Sequence, residues 1–152
     1  MTTSAIMSPT LQLVDVNVWI AMAIEDHEAH HAAVRWATNA APESAVFCRV
    51  TQLVVLRLLT NSRILKQNAC GMREAWDVYD RMCAAPFVRG LMSEPANLTG
   101  QLKTLTNRNS PSTKLWTDAY LAAFAIQGDL ILVTFDKAFR QFADLRSSIL
   151  SA

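Results

Sequence analysis

The sequence predicts an α/β fold built around a central, mainly parallel sheet. Four short apolar runs indicate strands, at residues 11–15, 45–50, 87–92 and 130–135. Segments of helical character separate them, and strands that alternate with helices are typical of parallel sheets. The first and last runs each stop at an aspartate, which is costly at the end of an interior strand unless the carboxylate has a partner.

The first half of the chain contributes two predicted strands and three predicted helices. A helical segment begins near Asn17, directly after the first strand. Asp26 is the predicted N-cap of a second helix, which runs to about residue 40 with acidic residues near its start. Thr51 is the predicted N-cap of the helix that follows the second strand. Since β-branched valines follow Thr51, continuation of that strand is an alternative.

In the second half of the chain, predicted helices and strands again alternate. Helices are predicted at residues 71–84, 97–106 and 114–126, with Gly128 as the stop signal of the third. That third helix is apolar nearly all round, so we expect it to be buried on several sides. The last predicted strand, at residues 130–135, is followed by a short helix near residues 137–145.

Length and composition favour a single domain spanning residues 1–152, with residues 1–9 as a loose tail. Hydrophobic residues make up 51% of the chain and charged residues 18%, which predicts a partner surface or a homodimer face. No apolar run reaches the roughly 18 residues of a membrane span, and the first residues lack a signal peptide, so a cytoplasmic location is expected. The formal net charge of +1 argues neither for nor against nucleic acid. The three cysteines lack CxxC spacing, which argues against zinc and against a disulfide framework.

Three aspartates are predicted to meet at one edge of the sheet. Asp15 ends the first strand and Asp136 follows the last, and ligands of open α/β sheets bind beyond the carboxyl ends of the strands. Asp118 lies near the start of the third helix of the second half, on a face whose other residues are apolar. Each aspartate alone has an ordinary alternative role as a turn former, a helix cap or a complement to a helix dipole. Their joint placement indicates a site.

We expect such a site to bind a divalent cation. Three carboxylates in one crevice repel each other, and a hard cation relieves that repulsion. Mg²⁺ favours oxygen ligands, uses few protein carboxylates and keeps several waters. A metal held in this way suits phosphodiester hydrolysis, because it activates water, orients the phosphate and stabilises charge on the transferring group.

Four segments, which together span nearly the whole chain, carry a recognisable pattern: Leu13-Val-Asp-Val-Asn-Val-Trp19, Arg49-Val-Thr-Gln-Leu-Val-Val-Leu-Arg-Leu-Leu-Thr-Asn61, Trp116-Thr-Asp-Ala-Tyr-Leu-Ala-Ala-Phe-Ala125 and Leu132-Val-Thr-Phe-Asp136. In this order they resemble the PIN-domain ribonucleases, and among them the VapC toxins of bacterial toxin–antitoxin pairs. The resemblance implies a PIN-like three-layer α/β/α fold and a metal-dependent endoribonuclease that uses Mg²⁺ or Mn²⁺. It further implies structured RNA, such as transfer or ribosomal RNA, as substrate, a cognate antitoxin as partner, and a homodimer.

The resemblance assigns the catalytic and metal-holding roles to the three aspartates. It implies supporting positions near them, namely Asn17, Thr51, Gln52, Arg57 and Thr134. One position departs from the family pattern, because many relatives have a glutamate where this chain has Gln52. An amide carries no charge and cannot act as a base. Either the enzyme works with three acids and Gln52 in an outer position, or another acid such as Glu94 substitutes, or the site is weakened.

Three functions therefore remain open from the sequence. The first is an Mg²⁺-dependent endoribonuclease acting as a toxin. The second is a PIN-like RNA- or protein-binding module with weak or no nuclease activity, because Gln52 replaces the usual glutamate. The third is a phosphotransfer domain with Asp15 as phosphate acceptor, although Asp-Val-Asn-Val lacks the Asp-x-Asp-x-Thr pattern of haloacid-dehalogenase-like phosphatases.

Overall fold

A five-stranded parallel sheet lies at the centre of the computed structural model, which describes residues 9–152. The strands, in chain order, are Gln12–Val14 (β1), Ala45–Phe47 (β2), Val88–Leu91 (β3), Ile131–Thr134 (β4) and Ser147–Ile149 (β5). They pair in the order β3-β2-β1-β4-β5, and each pairing is parallel. The predicted α/β fold with a mainly parallel sheet is confirmed, and β1 is its central strand.

Seven α-helices lie within the described residues. They are Val16–Ala23 (α1), His30–Asn39 (α2), Arg49–Leu59 (α3), Ser62–Leu65 (α4), Met72–Ala84 (α5), Leu98–Leu105 (α6) and Leu115–Gln127 (α7). Short 3₁₀ turns occupy Lys66–Asn68 and Lys137–Gln141. None of the helices in this part of the chain combines the length and the apolar character needed to cross a membrane.

The sheet separates two hydrophobic cores, which is why its central strands are apolar on both faces. Side chains alternate across a strand, so Leu13 and Leu132 pack with α6 and α7, while Val14 and Val133 pack with α1, α3 and α5. In the second core Trp19 stacks on Phe47 with ring centroids 4.1 Å apart. The resulting layers confirm the three-layer α/β/α architecture.

The structure corrects two of the predicted helix starts. The predicted cap at Asp26 is wrong, because α2 begins only at His30 and the residue before it, Ala29, offers no side-chain cap. The predicted cap at Thr51 is also wrong, because β2 ends at Phe47 and α3 begins at Arg49. Thr51 lies inside the first turn of α3, where its Oγ1 accepts a hydrogen bond from the Cys48 backbone N–H at 3.0 Å.

Two features at the end of the chain differ from the predictions. The predicted helix near residues 137–145 is a single 3₁₀ turn, and an unpredicted strand, β5, follows it. β5 is short, contains two serines and forms the edge of the sheet, so it lacks the apolar run that marked the other strands. The short helix α4 likewise has no counterpart among the predicted elements. The predicted loose tail, residues 1–9, lies outside the described residues except for its last position.

Candidate active site at the carboxyl edge of the sheet

The sheet topology brings the three aspartates to one edge. β1 and β4 are neighbours with Val14 opposite Val133, so Asp15 and Asp136 emerge side by side. α7 is joined to β4 by only three residues, 128–130, so its C-terminus lies at the amino edge and its first turn, which carries Asp118, lies at the carboxyl edge. Burial raises the pKa of Asp15, and the charges of Asp118 and Asp136 add smaller contributions in the same direction. The structure therefore places the three aspartates at one edge of the sheet, as predicted.

Asp15 is held rigidly at the junction of β1 and α1. Only 9% of the residue is exposed. It is the N-cap of α1, with Oδ1 accepting a hydrogen bond from the Val16 backbone N–H at 2.7 Å and Oδ2 accepting one from Thr134 Oγ1 at 2.7 Å. Burial raises the pKa of Asp15, the two hydrogen bonds lower it, and the net direction is upward.

Thr134 connects two of the aspartates through one hydroxyl group. The residue is fully buried at the end of β4. Its Oγ1 donates to Asp15 and accepts from the Asp136 backbone N–H at 3.0 Å and from Asn17 Nδ2 at 3.3 Å. Asn17 Oδ1 in turn accepts from the Phe135 backbone N–H at 3.3 Å. A hydroxyl has one proton and two lone pairs, so this network uses all of its capacity.

Lys114 bridges Asp118 and Asp136. Its Nζ lies 2.8 Å from Asp136 Oδ2 and 3.7 Å from Asp118 Oδ2. The ammonium group, together with a hydrogen bond from the Ala138 backbone N–H, lowers the pKa of Asp136. The pKa of Asp118 is raised instead, mainly because burial outweighs the attraction to Lys114. The four-residue spacing of Lys114 and Asp118 is the sequence signal that would have indicated this bridge.

Replacing Lys114 by methionine tests how much this bridge stabilises the fold. Because Lys114 lowers the folded pKa of Asp136 below the ordinary 3.8, its stabilisation is present above that pKa and is lost as the pH falls through the folded value. Lys114 is 64% exposed, so we expect Lys114→Met to lower the free energy of unfolding at neutral pH by at most about 1 kcal/mol. Urea unfolding from pH 3 to 7 measures the difference, and a difference that grows on acidification would contradict the assignment.

The donor set at this edge fits a hard divalent cation. Among residues 9–152, no three histidine, cysteine or acidic side chains converge closely enough to enclose an ion by themselves. Mg²⁺, however, is commonly held by one or two carboxylates and keeps several waters. All three candidate ligands are carboxylates, and the raised pKa values of Asp15 and Asp118 reflect, in part, negative charge that repels them. A cation at this edge would relieve that repulsion.

The remaining predicted supporting residues lie apart from this network. Gln52 is buried in the first turn of α3, and its Oε1 accepts a hydrogen bond from Arg49 Nη1 at 2.6 Å. Thr51 pairs with Cys48, as described above. Arg57 lies on the exposed side of α3, beside a cleft shared with α5.

Glu94, the candidate substitute for the missing glutamate, also has another partner. Its Oε2 accepts a hydrogen bond from the Tyr120 hydroxyl at 3.0 Å. The structure therefore brings Asn17 and Thr134 into the network of the aspartates, whereas the hydrogen bonds of Thr51, Gln52 and Glu94 lead elsewhere.

Sequence comparison links the chain to known ribonucleases. A profile of the PIN domain matches residues 13–145. Ribonuclease VapC41 of Mycobacterium tuberculosis (strain H37Rv) is 40% identical over 145 residues, which cover 91% of this chain and 98% of that relative. Ribonuclease VapC44 of the same strain is 29% identical over 126 residues, covering 83% of this chain and 86% of the relative.

Solved structures share the fold. VapC20 of Mycobacterium tuberculosis, a Sarcin-Ricin loop cleaving toxin, superposes with a TM-score of 0.61 at 20% identity, covering 89% of this chain and 98% of that chain. VapBC2 of Rickettsia felis, bound to a DNA fragment from its promoter, gives a TM-score of 0.64 at 11% identity, covering 93% and 99%. At these identities the likeness shows the fold alone. From the sequence matches, the chain belongs to the PIN-domain family, with VapC ribonucleases as its relatives.

Proposed function

We propose that this chain is a metal-dependent endoribonuclease that acts as the toxin of a toxin–antitoxin pair. The observation that carries the proposal is the single network in which Thr134 and Lys114 join Asp15, Asp118 and Asp136 at the carboxyl edge of the sheet. Relatives that cover nearly the whole chain are named ribonucleases, which supports RNA as the substrate. We propose structured RNA, such as transfer or ribosomal RNA, as the substrate class and the cytoplasm as the place of action.

Asp15, Asp118 and Asp136 would hold Mg²⁺ or Mn²⁺ in this proposal. When bound, the metal supplies a polarised water and neutralises charge on the phosphate. The other roles are performed by side chains of the protein. Thr134 keeps Asp15 oriented, and burial makes the Asp118 carboxylate a stronger proton acceptor by raising its pKa. Lys114, which is largely exposed, offers a positive charge to the RNA phosphate at the mouth of the site.

Two protein partners belong to the same proposal, a cognate antitoxin and a second copy of this chain. Structural neighbours include VapBC assemblies from Rickettsia felis and from nontypeable Haemophilus influenzae. Large apolar side chains are exposed on α3 and α5, namely Leu53, Met72 and Trp76, and such patches are typical of protein contact surfaces. Light scattering of the purified chain tests the homodimer, which a monomer at working concentration would contradict.

The direct test of the activity is metal removal. We expect the purified chain to cleave transfer or ribosomal RNA when Mg²⁺ or Mn²⁺ is present, to stop when EDTA is added, and to recover when Mg²⁺ is restored in excess. Gel analysis of RNA fragments provides the measurement. Undiminished cleavage in EDTA would contradict the metal requirement, and intact RNA at millimolar Mg²⁺ and Mn²⁺ would contradict the nuclease proposal itself.

The two rival functions have less support. The binding-module alternative depended on Gln52 as a defective active-site residue, but Gln52 pairs with Arg49 and lies outside the aspartate network. The phosphotransfer alternative lacks its sequence pattern, because Asp-Val-Asn-Val departs from the Asp-x-Asp-x-Thr of haloacid-dehalogenase-like phosphatases.

A further inference from the structure

A second polar cleft opens at the carboxyl ends of β2 and β3. It has a volume of about 270 Å³ and is lined by the polar residues Arg49, Ser93, Glu94 and Tyr120, with Phe124 among its apolar ones. Arg49 directly follows Cys48 after β2, Glu94 lies three residues beyond the end of β3, and Tyr120 projects from α7. Neither the aspartate network nor the metal chemistry uses these groups.

The topology sets this cleft beside the aspartates. β2 pairs with β1 in a register that puts Leu13 opposite Val46, so Cys48 and Arg49 emerge one strand away from Asp15. Adjacent strands are about 5 Å apart, which separates β3 from β1 by about 10 Å. α7 contributes Asp118 to one site and Tyr120, two residues later, to the other. Stacked nucleotides follow each other at about 3.4 Å, so RNA lying across the aspartates reaches the cleft within a few nucleotides.

Hydrogen bonds hold the Arg49, Glu94 and Tyr120 side chains, and Glu94 has unused acceptor capacity. The Tyr120 hydroxyl donates to Glu94 Oε2, and burial followed by this hydrogen bond raises the pKa of Tyr120, so the phenol stays a neutral donor. A carboxylate has about four acceptor positions, and Glu94 is exposed, so most of them remain free. Gln52 holds the Arg49 guanidinium through its hydrogen bond, and a guanidinium plane can stack on a base or pair with a phosphate.

This chemistry selects among the RNA bases. A carboxylate matches two adjacent N–H donors, and on a Watson–Crick edge guanine alone presents them, at N1 and at the 2-amino group. Bases recognised by proteins in single-stranded RNA are typically unstacked, placed against aromatic or arginine planes and read on such edges. Resting on the proposed nuclease function, we propose that the cleft binds a guanine base of the RNA near the scissile phosphate, with Glu94 accepting its N1–H and N2–H.

Binding measured without cleavage tests the cleft alone. Fluorescently labelled oligouridines carrying one guanosine, moved stepwise along the strand, are titrated with the wild-type chain in EDTA and compared with the same oligonucleotides carrying inosine, which lacks the 2-amino group. At the best position we expect inosine to weaken binding about 10-fold, the effect of one hydrogen bond to a charged acceptor. Glu94→Gln should bring the ratio close to one. Tyr120→Phe, which frees Glu94 to move, should reduce it partially.

Glu74→Gln is the matched control, because it removes the same charge from an exposed position in the first turn of α5, and it should retain the wild-type ratio. Equal binding of guanosine and inosine at all positions would overturn the proposal, as would full discrimination by a folded Glu94→Gln chain. A chain that discriminates in EDTA yet cleaves no RNA with Mg²⁺ contradicts the nuclease function while supporting the cleft. A chain that cleaves RNA but binds guanosine and inosine equally contradicts the guanine-binding proposal and leaves the nuclease function standing.

Discussion

Asp118→Asn is expected to lower the single-turnover rate of RNA cleavage by about 100- to 1,000-fold, the usual cost of losing one preorganised group that stabilises charge. The amide keeps the shape of the side chain but removes a proton acceptor and a proposed ligand. Cleavage of a labelled structured RNA at saturating Mg²⁺ measures the loss. Cleavage within a factor of three of wild type would contradict the role of Asp118.

Asp129→Asn is a suitable control for that experiment. Asp129 follows the C-terminus of the same helix, at the opposite edge of the sheet, where its exposed carboxylate pairs with Arg146. Its φ of 56° is a left-handed conformation that asparagine tolerates well. The substitution therefore removes an equal charge without strain, and we expect full cleavage activity from it.

The same Asp118→Asn chain should be more stable than wild type when metal is absent. The folded pKa of Asp118 is raised above its ordinary 3.8, so in the interval between the two values the folded chain binds more protons than the unfolded chain. The free energy of unfolding therefore falls as the pH rises through that interval. Thermal unfolding in EDTA should give a higher Tm for Asp118→Asn at neutral pH and a vanishing difference near pH 3. A lower Tm at neutral pH would contradict the pKa direction.

This opposition between stability and activity applies to two of the three aspartates. Asp15 and Asp118 both have raised pKa values, whereas Asp136, which pairs with Lys114, has a lowered one. In the metal-free chain, Lys114 neutralises only part of the charge, so burial of the carboxylates costs stability that a cation would restore. Groups kept in an unfavourable state by the surrounding fold are typical of functional sites.

The central strands and the aspartates were predictable because local sequence determines them. β1 and β4 are buried on both faces, so each forms an apolar run, and the end of each run marks the carboxyl edge. Asp15 and Asp136 follow those ends directly, and the apolar faces of α7 place Asp118 in the first turn of a buried helix. These signals need no knowledge of contacts between distant residues.

Features that depend on contacts between distant segments were not predictable in the same way. β5 is recognisable as a strand only because β4 offers it an edge. Gln52 occupies a position that family resemblance associates with the active site. Its side chain nevertheless pairs with Arg49 in the first turn of α3. The hydrogen bond between Glu94 and Tyr120 joins residues 26 positions apart. No sequence pattern around either residue predicts it.

Thr134→Val is expected to lower the free energy of unfolding at neutral pH by about 2–3 kcal/mol, since it removes a hydrogen bond to a charged, buried acceptor. Valine has nearly the shape of threonine but no hydroxyl. Its introduction leaves Asp15 Oδ2, the Asp136 N–H and Asn17 Nδ2 without their common partner. For a chain of this size each kcal/mol corresponds to roughly 2–4 °C in Tm. Urea and thermal unfolding provide the measurement.

Cleavage should fall as well, by about 10- to 100-fold, as is usual when a group that orients a metal ligand is lost. Thr134→Ser keeps the hydroxyl and removes one methyl group, so it should cost only about 1 kcal/mol and retain most activity. Equal behaviour of the valine and serine variants would show that the hydroxyl is unimportant.

A double-mutant cycle separates the hydrogen bond from simple packing. In an Asp15→Asn background the acceptor is no longer charged, so Thr134→Val should cost less than it does in the wild-type chain, by about 1 kcal/mol or more. If instead the two substitutions are additive, Thr134 contributes through its contacts in the core alone, and the network does not orient Asp15. A coupling of the expected sign would mean that the buried hydroxyl fixes the position of the carboxylate, and that the geometry of the site is set from within the sheet.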